Sequence, residues 1–234
     1  MDQLFDGLAL IDVHKDLTRN IASLIASEHL YDDLSDLPRD WDTAIQVELD
    51  GKPKDFDSVS PIIHRPFEDA LWDNAIHYPF DHWMKTRFSN GSHGVWYGAD
   101  SVQTSIYESA HHWYSGLLKN SGFDRIGIIS ERKVYLVRCD AALINLKEKV
   151  LAFPQITDPN DYAYCQTIGA RLHHEGHPGL VSRSVRNPTG ETYAILRAQV
   201  LSAPRISKYF TYELTQHGVV VLEDGKTEFL MIKR

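Results

Sequence analysis

From residue 102 onward the hydrophobic pattern changes period several times, and the order of those changes restricts the fold. Val102, Ile106, Ala110, Trp113 and Leu117 recur at helical spacing. Short β-rich runs follow, "RIGIIS", "KVYLVRCD" and "ALINL", and then "DPNDYAYCQTIGARLHHEG" returns to a helical pattern with Asp158 or Asn160 as its cap. "PGLVSRSV", "TYAILRAQVL", "YFTYEL" and "HGVVVL" complete the chain as strands separated by Gly and Pro turns. Helix, strands, helix, strands, without regular βαβ alternation, predicts an α+β fold with a mixed β-sheet and flanking helices.

Upstream, Leu4, Leu8, Ile11, Leu17, Ile21, Leu24 and Ile25 fit one or two amphipathic helices. Residues 32–60 are acidic, carry Pro38, Gly51 and Pro53, and read as a connector. The expected division is therefore a helical extension and acidic connector over 1–60 and a main domain over 61–234, which the family resemblance given below implies is catalytic. In the stretch 77–99, aromatic residues alternate with turn residues, as in strands joined by the tight turn "SNGSHG". Asp100, with Gln103 three positions on, reads as the N-cap of the helix that follows.

The 234 residues carry a formal net charge of −8, which argues against a nucleic-acid-wrapping surface, because phosphate neutralisation needs a basic face. Any anionic ligand would be small and held by a few positioned groups. No window reaches the length of a membrane helix, and the acidic start lacks a secretory pattern, so the expectation is a soluble, cytoplasmic protein without membrane contact. Cys139 and Cys165 are too few for a disulfide framework and read as packed thiols.

Glu108 lies two residues past Ile106, about 200° around the helix from the buried stripe. It faces either solvent or a cleft, and spacing alone does not decide. Arg65 and Arg87 are either surface arginines with buried stems or forks for a pyrophosphate. His173, His174, Glu175 and His177 invite a zinc reading, but only Gly176 separates Glu175 from His177, and Gly176 with Pro178 breaks the helix that would hold the ligands. No metal is expected. Ser182 and Ser184 are polar residues of a strand, or one of them orients a ribose or phosphate. Phosphate-loop, dinucleotide-fold and nucleophile-elbow signatures do not occur.

"TRFSNGSHGVWYGADSVQTSIYESAHHW" and "GHPGLVSRSVRNPTGETYAILR" together resemble the RES-domain family, the toxin half of RES–Xre toxin–antitoxin pairs. The resemblance spans roughly residues 60–215. It matches Arg87, Tyr97, Glu108 and Ser184 to the family's arginine, tyrosine, glutamate and serine, with Arg65 as its upstream arginine and Ser182 as the alternative serine. It implies a fold similar to ADP-ribosyltransferases with a cleft for NAD, and NAD phosphorylase or NAD glycohydrolase activity. Mono-ADP-ribosylation of a protein and a non-catalytic binding module are its alternatives.

In that reading Arg65 and Arg87 hold the pyrophosphate and Tyr97 stacks on the nicotinamide or its ribose. Glu108 binds ribose hydroxyls and stabilises an oxocarbenium-like transition state, and Ser184 orients the ribose or the incoming phosphate. NAD is the substrate, with inorganic phosphate or water as acceptor. The implied partner is an Xre-like helix-turn-helix antitoxin, in a hetero-oligomer with it or as a homo-oligomer.

Overall fold

The computed structural model describes residues 2–23, 73–122 and 124–233. Arg65, the connector and the expected helical positions Leu24 and Ile25 lie outside the described residues. The first correction concerns the N-terminus. After a short helix α1 (Asp2–Phe5), residues Ala9–Ala22 form a 14-residue strand, β1, where helical spacing was expected. Ile11, Leu17 and Ile21 fit both periods, but Val13 completes a set of odd positions, and Val13 and Leu17 are buried. A partner settles the choice: β1 pairs antiparallel with β5 (Ile129–Asn145) over its entire length, from Ala9↔Asn145 to Ala22↔Arg132. Residues 9–22 are thus built into the sheet.

A π-turn (Asp73–His77) leads into α2 (Tyr78–Asp81), where alternating aromatics suggested a strand; Pro79, at the start of α2, suits a first helical turn. β2 (Lys85–Thr86) and β3 (Ser89–Asn90) make a small hairpin, and Gly91, at φ 97°, supplies the left-handed residue of the predicted "SNGSHG" turn. β4 (Trp96–Ala99) then enters the main sheet.

Helix α3 (Val102–His111) continues as a π-helical stretch, His112–Leu118, and a last turn, Lys119–Ser121, closed by left-handed Gly122. Its cap is Ser101, whose Oγ accepts from the Thr104 amide at 3.2 Å. Asp100, the expected cap, is still held by the sheet, its amide donating to Glu191 O. The π-stretch moves the stripe by one residue, because i→i+5 bonding inserts an extra residue per turn. Leu118 is therefore buried, and Leu117, expected in the stripe, is 58% exposed.

The three runs predicted between 125 and 145 are largely one strand, β5. A 3₁₀ turn (Pro154–Thr157) precedes α4 (Ala163–His174). Neither expected cap serves α4 directly. Asp158 bonds the Asn160 and Asp161 amides, and Asp161 Oδ1 accepts from Ala163 N. The remaining strands are β6 (Gly179–Arg183), β7 (Glu191–Ile195), β8 (Leu201–Thr215), β9 (Gly218–Glu223) and β10 (Thr227–Lys233), the last not anticipated.

The strand order is β1-β4-β7-β6-β5-β8-β9-β10, and the β1–β5 pairing closes the first five into a ring. Among the described strands only β5 and β6 run parallel, so the sheet is mixed and the fold α+β, as the pattern predicted. Val13, Leu17, Trp96, Val137, Val181 and Ile195 form the core of the ring. A second cluster lies beneath α4, and a third joins α3 to β8 and β9.

Candidate functional site

Three of the residues singled out in the sequence come from three elements that meet around one cleft of about 740 Å³. Arg87 sits in the β2–β3 turn, Tyr97 on β4 and Glu108 on α3, and all three line the cleft. A volume of this size lies within the usual range of small-molecule pockets.

Tyr97 builds the wall that carries Arg87. Its Oη donates to Thr86 Oγ1 (3.0 Å) and accepts from the Phe88 amide (2.9 Å), clamping the turn on both sides of Arg87. Burial holds the Tyr97 hydroxyl protonated far above neutral pH. What remains for a ligand is the ring. From the other side α4 presses on the same turn: Gln166 Nε2 donates to Thr86 O, and a Cβ at Gly169 would stand 1.9 Å from Phe88 O. Only glycine permits that approach.

Arg87 Nη1 donates to Asp158 O at 2.7 Å and Ile156 O at 3.4 Å, and its guanidinium lies 4.2 Å from the Tyr162 ring centre. Carbonyls and a ring fix the group without neutralising it. The nearby Asp158 carboxylate is turned to the Asn160 and Asp161 amides, which hold its pKa below the ordinary range.

Glu108 is held from behind. Ser184 Oγ donates to Glu108 Oε1 at 2.6 Å and accepts from the Arg186 and Asn187 amides. The turn bearing Ser184 is pinned to the start of α3 by Asn187 Nδ2 donating to Thr104 Oγ1, and a Cβ at Gly190 would stand 2.2 Å from that oxygen. Neither serine lines the cleft: Ser182 is buried in β6 opposite Thr192, and Ser184, also buried, is connected to the cleft through its bond to Glu108.

Several cleft residues were not assigned to a site from the sequence, where the histidines of "SAHHWY" read as packed or surface residues. His111 and His112, three and four positions after Glu108, share its helix face and line the cleft. Burial, followed for His111 by the Arg186 charge, lowers both imidazoles, His111 to about 4, so both are neutral at pH 7. Their spacing from Glu108 was the available signal. Arg19, on β1, had none, because its segment read as a helix. Its Nη1 donates to Tyr97 O at 3.1 Å, its guanidinium lies 5.2 Å from the Trp96 ring, and its Nε is buried without a partner. Burial lowers Arg19 to about 10, which leaves it charged at neutral pH. Among the described residues, the charged lining is thus Arg19, Lys85 and Arg87 against Glu108, a basic set in an acidic chain. Among the described residues no three His, Cys, Asp or Glu side chains gather as a metal site.

Fold and cleft together define an α+β protein with a small, locally cationic pocket built around one braced carboxylate. The RES domain model matches residues 61–215, and the chain belongs to the RES domain family. Among solved structures, a chain of the M. tuberculosis MbcT–MbcA toxin–antitoxin complex is similar, with 12% identity, a TM-score of 0.47 and coverage of 92% of this chain and 91% of that one. No curated protein matches the sequence.

Proposed function

We propose that this cleft binds NAD and breaks its nicotinamide–ribose bond, and that the chain acts as the toxin of a toxin–antitoxin pair. The reading is supported above all by the Glu108 carboxylate, fixed at 2.6 Å by Ser184 in a cleft that Arg87 and Tyr97 also line. Arg87 would fork onto the pyrophosphate, with Arg65 as a further candidate from outside the described residues. The Tyr97 ring would lie against the nicotinamide or its ribose.

Glu108 would accept bonds from ribose hydroxyls and offset the positive charge that grows on C1′ as the glycosidic bond lengthens. Nicotinamide leaves with the bonding electron pair, which neutralises its own pyridinium, so the site needs no acid for the leaving group. That suits one carboxylate where ordinary glycosidases use two. Attack on C1′ by a phosphate oxygen gives ADP-ribose 1-phosphate, and attack by water gives ADP-ribose with release of a proton. Ser184 would act through Glu108, holding one carboxylate oxygen so that the other faces the ribose.

An antitoxin of the helix-turn-helix kind would cover the cleft. Trp83 and Met84, 59% and 65% exposed, support a partner there, since Met84 lines the cleft and large apolar side chains at a rim favour protein contact. The test is chromatography of NAD incubated with the purified protein, with and without phosphate. Free nicotinamide with either ADP-ribose product is expected. Label from NAD retained on protein would replace this reading by ADP-ribosyl transfer, and intact NAD in both arms would reject it.

A further inference from the structure

Among the described residues, Arg19 is the cation left with a buried side-chain donor that has no partner. It is carried by β1, ahead of the segment matched by the family model, and it reaches the cleft because Thr18 pairs with Ala99 of β4. Its known contacts are neutral: the Tyr97 carbonyl and the Trp96 ring. Its Nε–H is buried and makes no hydrogen bond, and among the described residues no carboxylate pairs with it. The adjoining cation, Arg132, makes matters worse, since its charge opposes that of Arg19 while its own donors go to Asn20.

An orphaned buried donor on an uncompensated guanidinium is costly, and a fold retains it where a ligand supplies the missing acceptor. A planar fork that lines a cationic cleft and already has one Nη proton fixed presents its remaining protons in a geometry suited to a tetrahedral oxyanion.

We infer that Arg19 is a binding residue for a phosphoryl oxyanion, completing from β1 a site whose other arginine, Arg87, comes from the β2–β3 turn. Two sources fit that chemistry, the pyrophosphate of the dinucleotide and a free phosphate acting as acceptor. The choice between them rests on the NAD reading; the oxyanion site does not.

The test uses the full chain and three probes, inorganic phosphate, pyrophosphate and ADP-ribose, each titrated by calorimetry. Arg19→Gln should weaken at least one probe about tenfold or more, the loss expected for a charge-assisted bond, and Arg19→Lys should restore part of it. Arg138→Gln, on the exposed part of β5, should leave all three unchanged. Weakening of ADP-ribose and pyrophosphate alone assigns Arg19 to the dinucleotide, and weakening of inorganic phosphate alone assigns it to the acceptor.

In the parent protein, the Nε–Hε resonance of Arg19 should shift on addition of the bound probe, which needs no variant to fold. A folded Arg19→Gln that binds all probes like the parent, an unmoved resonance at saturation, or a parent that binds none of them would overturn the inference. Arg19-dependent binding in a protein that leaves NAD intact would reject the proposed reaction and keep the oxyanion site.

Discussion

Two partly buried polar groupings in this molecule use the same residue types to opposite ends. Between β5 and β7, Lys147 Nζ meets Glu191 Oε1 at 2.6 Å, and Tyr193 Oη donates to Glu191 Oε2, also at 2.6 Å. Cation, carboxylate and phenol satisfy one another. In the cleft, the hydrogen bonds and ring contacts of Arg19 and Arg87 among the described residues go to carbonyls and aromatic rings, while Glu108 has a serine behind it. The first grouping is complete as it stands; the second keeps its charges separate and its cations uncompensated. Charges that cancel each other hold a fold, whereas charges held apart by neutral scaffolding are set for a ligand.

The contrast predicts a double dissociation, sharpest at Glu108. Glu108→Gln should lower NAD cleavage by about two orders of magnitude or more with almost no change in melting temperature. An active variant would place the cleft with the satisfied grouping. Ser184→Ala should lower kcat about tenfold with KM little altered, because it frees the carboxylate without removing it; the two amides it also serves should cost about 1–2 kcal/mol of stability. Equal changes in kcat and KM would show that the serine binds substrate directly.

Lys147→Met should reverse the pattern. It leaves a partly buried carboxylate with only Tyr193, and about 2 kcal/mol is expected, a fall of roughly 4–8 °C in melting temperature, with NAD cleavage within about twofold of the parent. Lost activity at unchanged stability would mean that the two groupings are coupled.

The smallest effect is on pH dependence. His111 and His112 are held below the ordinary histidine value of 6.5 by burial, so the unfolded chain takes up their protons first. Stability is complete above 6.5 and declines as pH falls through the window down to about 4, where His111 itself titrates. Burial alone would raise the Glu191 carboxyl, but its bonds from Lys147 and Tyr193 outweigh that and hold it below 4.5. Its contribution is therefore present above 4.5 and lost as pH falls below it. His112→Gln should flatten only the upper part of the melting-temperature profile, and Lys147→Met only the lower.

Much of the cleft was legible because it lies on locally specified structure. The stripe Val102, Ile106, Ala110 placed Glu108 on the opposite face, and "SNGSHG" marked the turn before β4. The errors arose where a distant contact chose between local options. Ile11, Leu17 and Ile21 satisfy a helix as well as a strand until β5 lies alongside, and that choice alone carries Arg19 into the cleft. Asp100 and Ser101 are equivalent caps by residue type, and the choice falls on Ser101 because the Asp100 amide is committed to β7.

The sequence by itself determined the α+β class, the capped helix with its outward glutamate, the glycine turn and the acidic overall balance, all of which depend on neighbours within a few residues. Tertiary structure alone decided that residues 9–22 are a strand, that Leu118 replaces Leu117 in the core, and that Ser184 meets Glu108 across 76 positions of chain. The physical reason is that the strand and the serine contact are set by pairing between segments far apart in sequence, and the stripe shift by a π-helical stretch that departs from the 3.6-residue period, to all of which local periodicity is blind.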